Sequence, residues 1–252
     1  TELDLSGREI KNIEGIQYFR NLRTLNLRYN NLTDVGPLGT LSNLRILDLG
    51  FNHLINLEDA NVGQLKNLNV EELNLDHNVV LDGDQVKVRL SDIDLLAEFT
   101  SLEVLSLVDN HITDITPLAG LSKLRKLNLR ENKLKNLSCL EGLHNLEALN
   151  LRENQINEIS FIGKLNNLRY LNLHSNENIE DLSPIANLTG LETLILRGIT
   201  VGNQIEVLRG LTSLKRLNLR NCDVDDFTVL FDLMSVGALQ DNPDDDIFAY
   251  LD

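Results

Sequence analysis

The chain has 252 residues and a formal net charge of −15, which argues against nucleic acid or an anionic membrane as its main partner. Apolar residues make up 42% but aromatic ones only 4%, with no Trp, so any core must be built almost wholly of Leu and Ile. No apolar run approaches the roughly 18 residues of a membrane span.

Taken in order, the chain falls into blocks of about 22 residues. With the first residue of a block as place 1, apolar residues recur at places 1, 4, 6, 11, 14, 17 and 20, and Asn at place 9. Block one lacks its start: Leu3, Leu5, Ile10, Ile13, Ile16 and Phe19 fit, but Arg8 stands at the Asn place. An outermost coil exposes a strand edge, so a covering segment ahead of Thr1 is expected. Block two (Leu22–Asn43) is regular, with Asn30 at place 9. Block three starts at Leu44 and keeps Asn52, and the next start falls late, at about Val70. Block four keeps Leu73, Leu75 and Asn78, then gains ten residues at about 81–90. There Asp82-Gly83 separates two β-prone runs, a hairpin signature. Blocks five to seven start at Leu102, Leu124 and Leu146 and carry Asn110, Asn132 and Asn154. Block eight (Leu168) gains one residue near Glu177; blocks nine (Leu191) and ten (Leu214) put Ile199 and Cys222 at the Asn place. After Leu233 the pattern fails. The acidic, then amphipathic stretch 236–252 reads as a closing cap or the start of another segment, with a docking motif around Phe248 and Tyr250 as the sharper alternative.

A fixed period in this range marks a stacked-coil solenoid. The alternation around places 4 and 6 is that of a short strand with one buried face. One coil cannot bury enough to offset its ordering cost, whereas stacked coils share hydrogen bonds and a continuous core. The place-9 amide offers donors and an acceptor, and is expected to satisfy turn backbone in its own coil and the next.

The pattern LxxLxLxxNxIxxIxxLxxLxx resembles the short leucine-rich repeats of bacterial internalin-like surface proteins, and also those of the intracellular regulatory subunit of protein phosphatase 1. DITPLAGLSKL (114–124) and DLSPIANLTGL (181–191) lean towards the internalins. The expected fold is therefore α/β: a right-handed leucine-rich-repeat solenoid of about ten coils over 1–235. It has a parallel sheet on the concave face and an irregular or 3₁₀ convex side. The resemblance implies a concave face that binds protein partners.

No catalytic constellation is legible, and the chain does not read as an enzyme or as needing a cofactor. His53, His77, His111, His144 and His174 are scattered over different places without metal-ligand spacing. Asp82-Gly83-Asp84 and Asp244-Asp245-Asp246 do not match a calcium loop. Cys139 and Cys222 lie about four coils apart, roughly 19 Å, beyond disulfide reach.

What the sequence offers is a surface. Places 3, 5 and 7 should point outward, with 2 and 8 at the margins, so sequence columns become stripes. Column five (Asn26, Asn74, Asn128, Asn150, Asn172, Asn218) reads as a solvated stripe. Column seven carries Arg28, Arg130, Arg152, Arg197 and Arg220, with His174 among them, a local reversal of charge suited to a carboxylate-rich partner. Glu131 and Glu153 beside it could neutralise part of it. Tyr29 and Phe51, with His77 and Ile46, form an aromatic patch that reads as anchor residues for a protein. Tyr170 beside His174 makes a smaller aromatic site. The expected function is non-catalytic recognition of a protein, possibly acidic, by a monomer. An internalin-like surface or adhesion domain, secreted or at the cell surface, is the first reading. An intracellular scaffold or phosphatase-regulatory subunit in the cytoplasm is the second.

Overall fold

A computed structural model describes residues 1–83 and 85–239. The chain divides into two compact units, Thr1–Leu124 and Arg125–Asp252. In the first, β1 (Glu2–Asp4), β2 (Thr24–Asn26), β3 (Ile46–Asp48), β4 (Glu72–Asn74) and a later strand, β7 (Val104–Ser106), pair side by side and parallel. Between β4 and β7 the chain leaves the sheet for an antiparallel hairpin, β5 (Val79–Asp82) and β6 (Gln85–Arg89), which begins two residues before the stretch counted as extra. In the second unit, β8 (Lys126–Asn128), β9 (Ala148–Asn150), β10 (Tyr170–Asn172), β11 (Thr193–Ile195) and β12 (Arg216–Asn218) pair the same way. The fold is the leucine-rich-repeat solenoid, with ten coils contributing ten parallel strands.

Register is set by leucine. Place 4 pairs with place 4 throughout: Leu3, Leu25, Leu47, Leu73 and Leu105 in the first unit, and Leu127, Leu149, Leu171, Leu194 and Leu217 in the second. The Leu47–Leu73 pair confirms Val70 as the start of the fourth block. A one-residue slip would turn every leucine to the opposite face. Most leucines at places 1, 4, 6, 17 and 20 are fully buried.

Coils one to nine return through a short 3₁₀ turn, and in several the sequence encodes its start. An acidic or amide side chain at place 13 accepts the N–H two residues on: Asp34 from Gly36 (2.8 Å), Asp114 from Thr116 (2.8 Å), Asn136 from Ser138 (3.0 Å) and Asp181 from Ser183 (2.9 Å). Pro37, Pro117 and Pro184 follow at the first helical positions, where the missing N–H costs nothing. The tenth coil departs from the expected irregular return. There α1 (Thr228–Ser235) is a true α-helix, started by Asp226, which accepts from both the N–H and the hydroxyl of Thr228, and its inner face is Val229 and Leu233.

The place-9 side chains form a ladder, but it points the other way from the sequence expectation. Asn52 donates to Leu49 O in its own coil (3.1 Å) and to Leu27 O in the preceding coil (3.0 Å), and accepts from Leu32 N–H of that coil (3.0 Å). Asn78 and Asn154 repeat the pattern. Cys222 keeps only the donor half, giving its S–H to Leu196 O at 3.1 Å. Both cysteines are free.

Candidate protein-recognition face

Column eight obeys a backbone rule in all ten coils. Gly7, Tyr29, Phe51, His77, Asp109, Glu131, Glu153, Ser175, Gly198 and Asn221 all have positive φ, from 47° to 77°. Left-handed backbone suits Gly and Asn; on other side chains it costs about 1–2 kcal/mol. The turn after each strand therefore imposes strain and throws the place-8 side chain back over the sheet margin.

In the first unit that geometry stacks rings. Tyr29 and Phe51 lie 4.4 Å apart, tilted by 38°, and Phe51 and His77 4.5 Å apart, nearly parallel at 21°. The Arg28 guanidinium sits 4.5 Å from the Phe51 ring centre and 5.1 Å from that of Tyr29. Tyr29 remains 53% exposed and Ile46, on β3, 37%. The aromatics pack on one another and still leave an open face.

Arg28 reaches across two coils. Its guanidinium is 3.5 Å from Asp48 and 3.6 Å from Asp76, passing over Gly50, where a Cβ would lie 3.1 Å from the Arg28 Nη1 and 2.9 Å from Asn74 Oδ1. Burial opposes its charge, but the Tyr29 hydroxyl, Asp48 and Asp76 together hold it above its ordinary pKa. Burial pushes the Asp48 carboxyl up, against the Gly50 N–H and Arg28, with Asp76 adding repulsion. Asp76 also accepts from Ser106 Oγ (2.6 Å) and Val108 N–H (2.8 Å). At the far end of the ring stack His77 Nδ1 meets Asp109, and Arg89 of β6 grips Asp109 through its carbonyl (2.7 Å) and carboxylate (2.6 Å). The hairpin is thus tied to the end of the stack, with Leu81, Val86 and Val88 exposed on it.

In the second unit the arginine stripe separates into two kinds. Arg130 pairs with Glu131 at 2.9 Å, and Arg152 with Glu153 through Nη2 (2.7 Å) and Nε (3.0 Å). Each guanidinium is neutralised by its own neighbour in sequence. Arg197 and Arg220 stand beside Gly198 and Asn221 instead and have no acidic partner among the described residues. His174 lies between the pairs. Burial first, then the charges of Arg152 and Arg197, push it below its usual pKa, with Glu153 opposing. Tyr170 is not an exposed aromatic. It is 2% exposed and packs with Ala148, with Ile195 against the pair. A strand-face place does not guarantee exposure when large neighbours lie across a small one.

Among solved structures, internalin C2 of Listeria monocytogenes is 34% identical over 75% of this chain and 77% of that one, with a TM-score of 0.67. The chain belongs to the leucine-rich repeat family and is internalin-like. The sequence matches the leucine-rich repeat family over residues 20–67, 100–156, 144–187 and 210–226. A second Listeria monocytogenes internalin, InlF, is 29% identical over 92% of this chain and 84% of that one (TM-score 0.63). A leucine-rich repeat protein of Leptospira interrogans is 28% identical over 92% and 69% (TM-score 0.70). Comparison with curated proteins finds no match. Such repeat domains are generally protein-interaction modules.

In this internalin-like chain the column-five asparagines are a solvated stripe only in part, with Asn218 exposed and Asn26 and Asn74 half-buried. Asn128, Asn150 and Asn172 are buried, and in six coils the Asn Oδ1 accepts the place-7 N–H two residues on, from Arg28 (3.0 Å) to Arg220 (3.0 Å). Their role is to fix the backbone that carries the arginines. Asp48 does the same for Gly50 at 2.9 Å. The sequence reading missed Asp48 and Asp76, for which Gly50 next to Arg28 in column seven was the available signal. It also missed column two, where Arg125–Glu147 (3.0 Å), Arg169–Glu192 (2.5 Å) and Lys215–Glu192 (2.9 Å) neutralise one another along the sheet margin. Among the described residues no three His, Cys, Asp or Glu side chains gather to hold a metal, and no helix is long and apolar enough to cross a membrane. Residues 244–246, 248 and 250 lie outside the described residues.

Proposed function

We propose that this chain is a non-catalytic recognition domain that binds a protein partner on its concave strand face, as an internalin-like adhesion domain at a bacterial surface. It works as a monomer without a cofactor, and carboxylates of the partner meet those of its arginines that no neighbouring acid neutralises. The observation that carries this reading is the stack of Tyr29, Phe51 and His77. These are rings on strained left-handed backbone, braced by Arg28, with Tyr29 half exposed and Ile46 exposed on β3. Burying such large, rigid side chains against a partner yields much contact area at little entropic cost. A stack needed only for folding would not leave Tyr29 open.

The test is capture of protein ectodomains from a defined extracellular mixture by immobilised wild-type chain and by Tyr29→Ala with Phe51→Ala. The double variant should keep its circular dichroism and lose at least about tenfold in affinity for the captured partner. Undiminished capture by a folded double variant would overturn the reading.

A further inference from the structure

One part of the strand face differs from the rest in both charge and shape. Along column seven, backbone bonds place neighbours directly side by side: Glu153 N–H donates to His174 O (2.8 Å), Ser175 N–H to Arg197 O (3.1 Å) and Gly198 N–H to Arg220 O (3.0 Å). Coils six and seven cancel their own arginines with Glu131 and Glu153. From coil eight onward column eight reads Ser175, Gly198 and Asn221, so its carboxylates stop while the guanidinium groups continue. Column two offers no compensating carboxylate there, because Glu192 is already held by Arg169 and Lys215. In a chain of net charge −15, Arg197 and Arg220 form a local excess of positive charge with no acid against it among the described residues.

Two residues back along the same strands the column-five asparagine is replaced once, by Ile195. It packs on Tyr170 and borders a cleft of about 580 Å³, whose other walls include Leu217, Phe227 and Leu239. Lys215, Arg216 and Asn218 also line it, and Arg197 and Arg220 follow two residues after Ile195 and Asn218, so a cationic pair adjoins a recess with an apolar side.

We propose that coils eight to ten hold the docking site for an acidic–apolar peptide segment of the protein partner. Arg197 and Arg220 clasp a carboxylate, and the recess at Ile195 takes the neighbouring apolar side chain. Guanidinium forks match carboxylates in bidentate geometry. The apolar recess gives the selectivity that charge alone lacks. This rests on the reading of the strand face as a protein-binding surface, and it deepens that reading by naming the chemistry recognised.

The experiment is fluorescence anisotropy of the full chain with a labelled peptide, Gly-Ser-Glu-Asp-Leu-Gly, at low salt. Three controls are the Gln/Asn version of the peptide, the version with Leu replaced by Gly, and a single-stranded RNA of six nucleotides. Binding of the parent peptide should fall at least tenfold with Arg197→Ala plus Arg220→Ala and with Ile195→Asn, and less than twofold with Arg130→Ala. Both peptide controls should bind at least fivefold more weakly than the parent. Equal losses from Arg130→Ala and the double variant, or no loss from either, would overturn the site. Preference for the RNA would overturn the class of ligand. A loss of ectodomain capture through Tyr29 and Phe51 alongside an inert Arg197–Arg220 pair would refute this site while leaving the broader reading standing. Intact peptide binding alongside capture undiminished by loss of the aromatics would do the reverse.

Discussion

Replacing Asn52 with Ala tests the ladder on which the stack depends. Asn52 is 1% exposed and satisfies four backbone groups: the carbonyls of Leu27, Leu49 and Gly50 (3.0, 3.1 and 3.2 Å) and the N–H of Leu32 (3.0 Å). The buried Leu32 N–H loses its acceptor outright, at about 1–3 kcal/mol. The Leu27 and Leu49 carbonyls lose a donor, adding roughly 1 kcal/mol each. A total loss of about 3–5 kcal/mol in urea unfolding is expected. Asn52→Cys should recover part of it, because a thiol can donate as Cys222 does to Leu196 O, but cannot replace the Oδ1 acceptor. A loss below about 1 kcal/mol for Asn52→Ala, or a Cys variant no better than Ala, would refute the account of the ladder.

Further predictions follow from the strand face. Gly50→Ala should cost about 1–2 kcal/mol, since its methyl would press on Asn74, Arg28 and Asp48, and in an Arg28→Ala background the cost should shrink; thermal melts of the cycle read this coupling. Glu131→Gly should raise stability by about 0.5–1 kcal/mol. It relieves a φ of 56° and loses only an ion pair that solvent already weakens, so a lower melting temperature would contradict the strain argument. His174 has a folded-state pKa below its unfolded one, so its contribution is intact above about pH 6.5 and declines as pH falls through that value towards the folded one. Relative to His174→Gln, the wild type should therefore lose ground between pH 7.5 and 5. The change should stay under about 0.5 kcal/mol because solvent screens a partly exposed ring, and a wild type that gains ground on His174→Gln as pH falls would contradict the sign.

The stacked architecture was legible because leucine at places 4 and 6 and asparagine at place 9 are demanded by pairing and by buried turn backbone, and both demands repeat every coil. The ladder's direction was not legible, since an amide able to bond two ways carries no record of which neighbour it faces. Asn150 looked solvated because it is polar on an alternating strand. It is fully buried because its amide serves the Arg152 N–H. Tyr170 looked exposed for the complementary reason: its place faces outward, but Ala148 and Ile195 close around it. The left-handed turn did leave a trace, in Gly7, Gly198 and Asn221 at place 8, and that trace predicts where Glu131 and Glu153 fold back on their arginines.

The central claim, that the strand face receives a protein, is tested most directly by hydroxyl-radical footprinting of the chain alone and with its captured partner. Protection is expected at Tyr29, Ile46 and Phe51, with Tyr18 and Phe19, exposed at the 3₁₀ turn of the first coil, left as reactive as before. Protection confined to Tyr18, Phe19 and the other return turns, with Tyr29 and Phe51 unchanged, would contradict it.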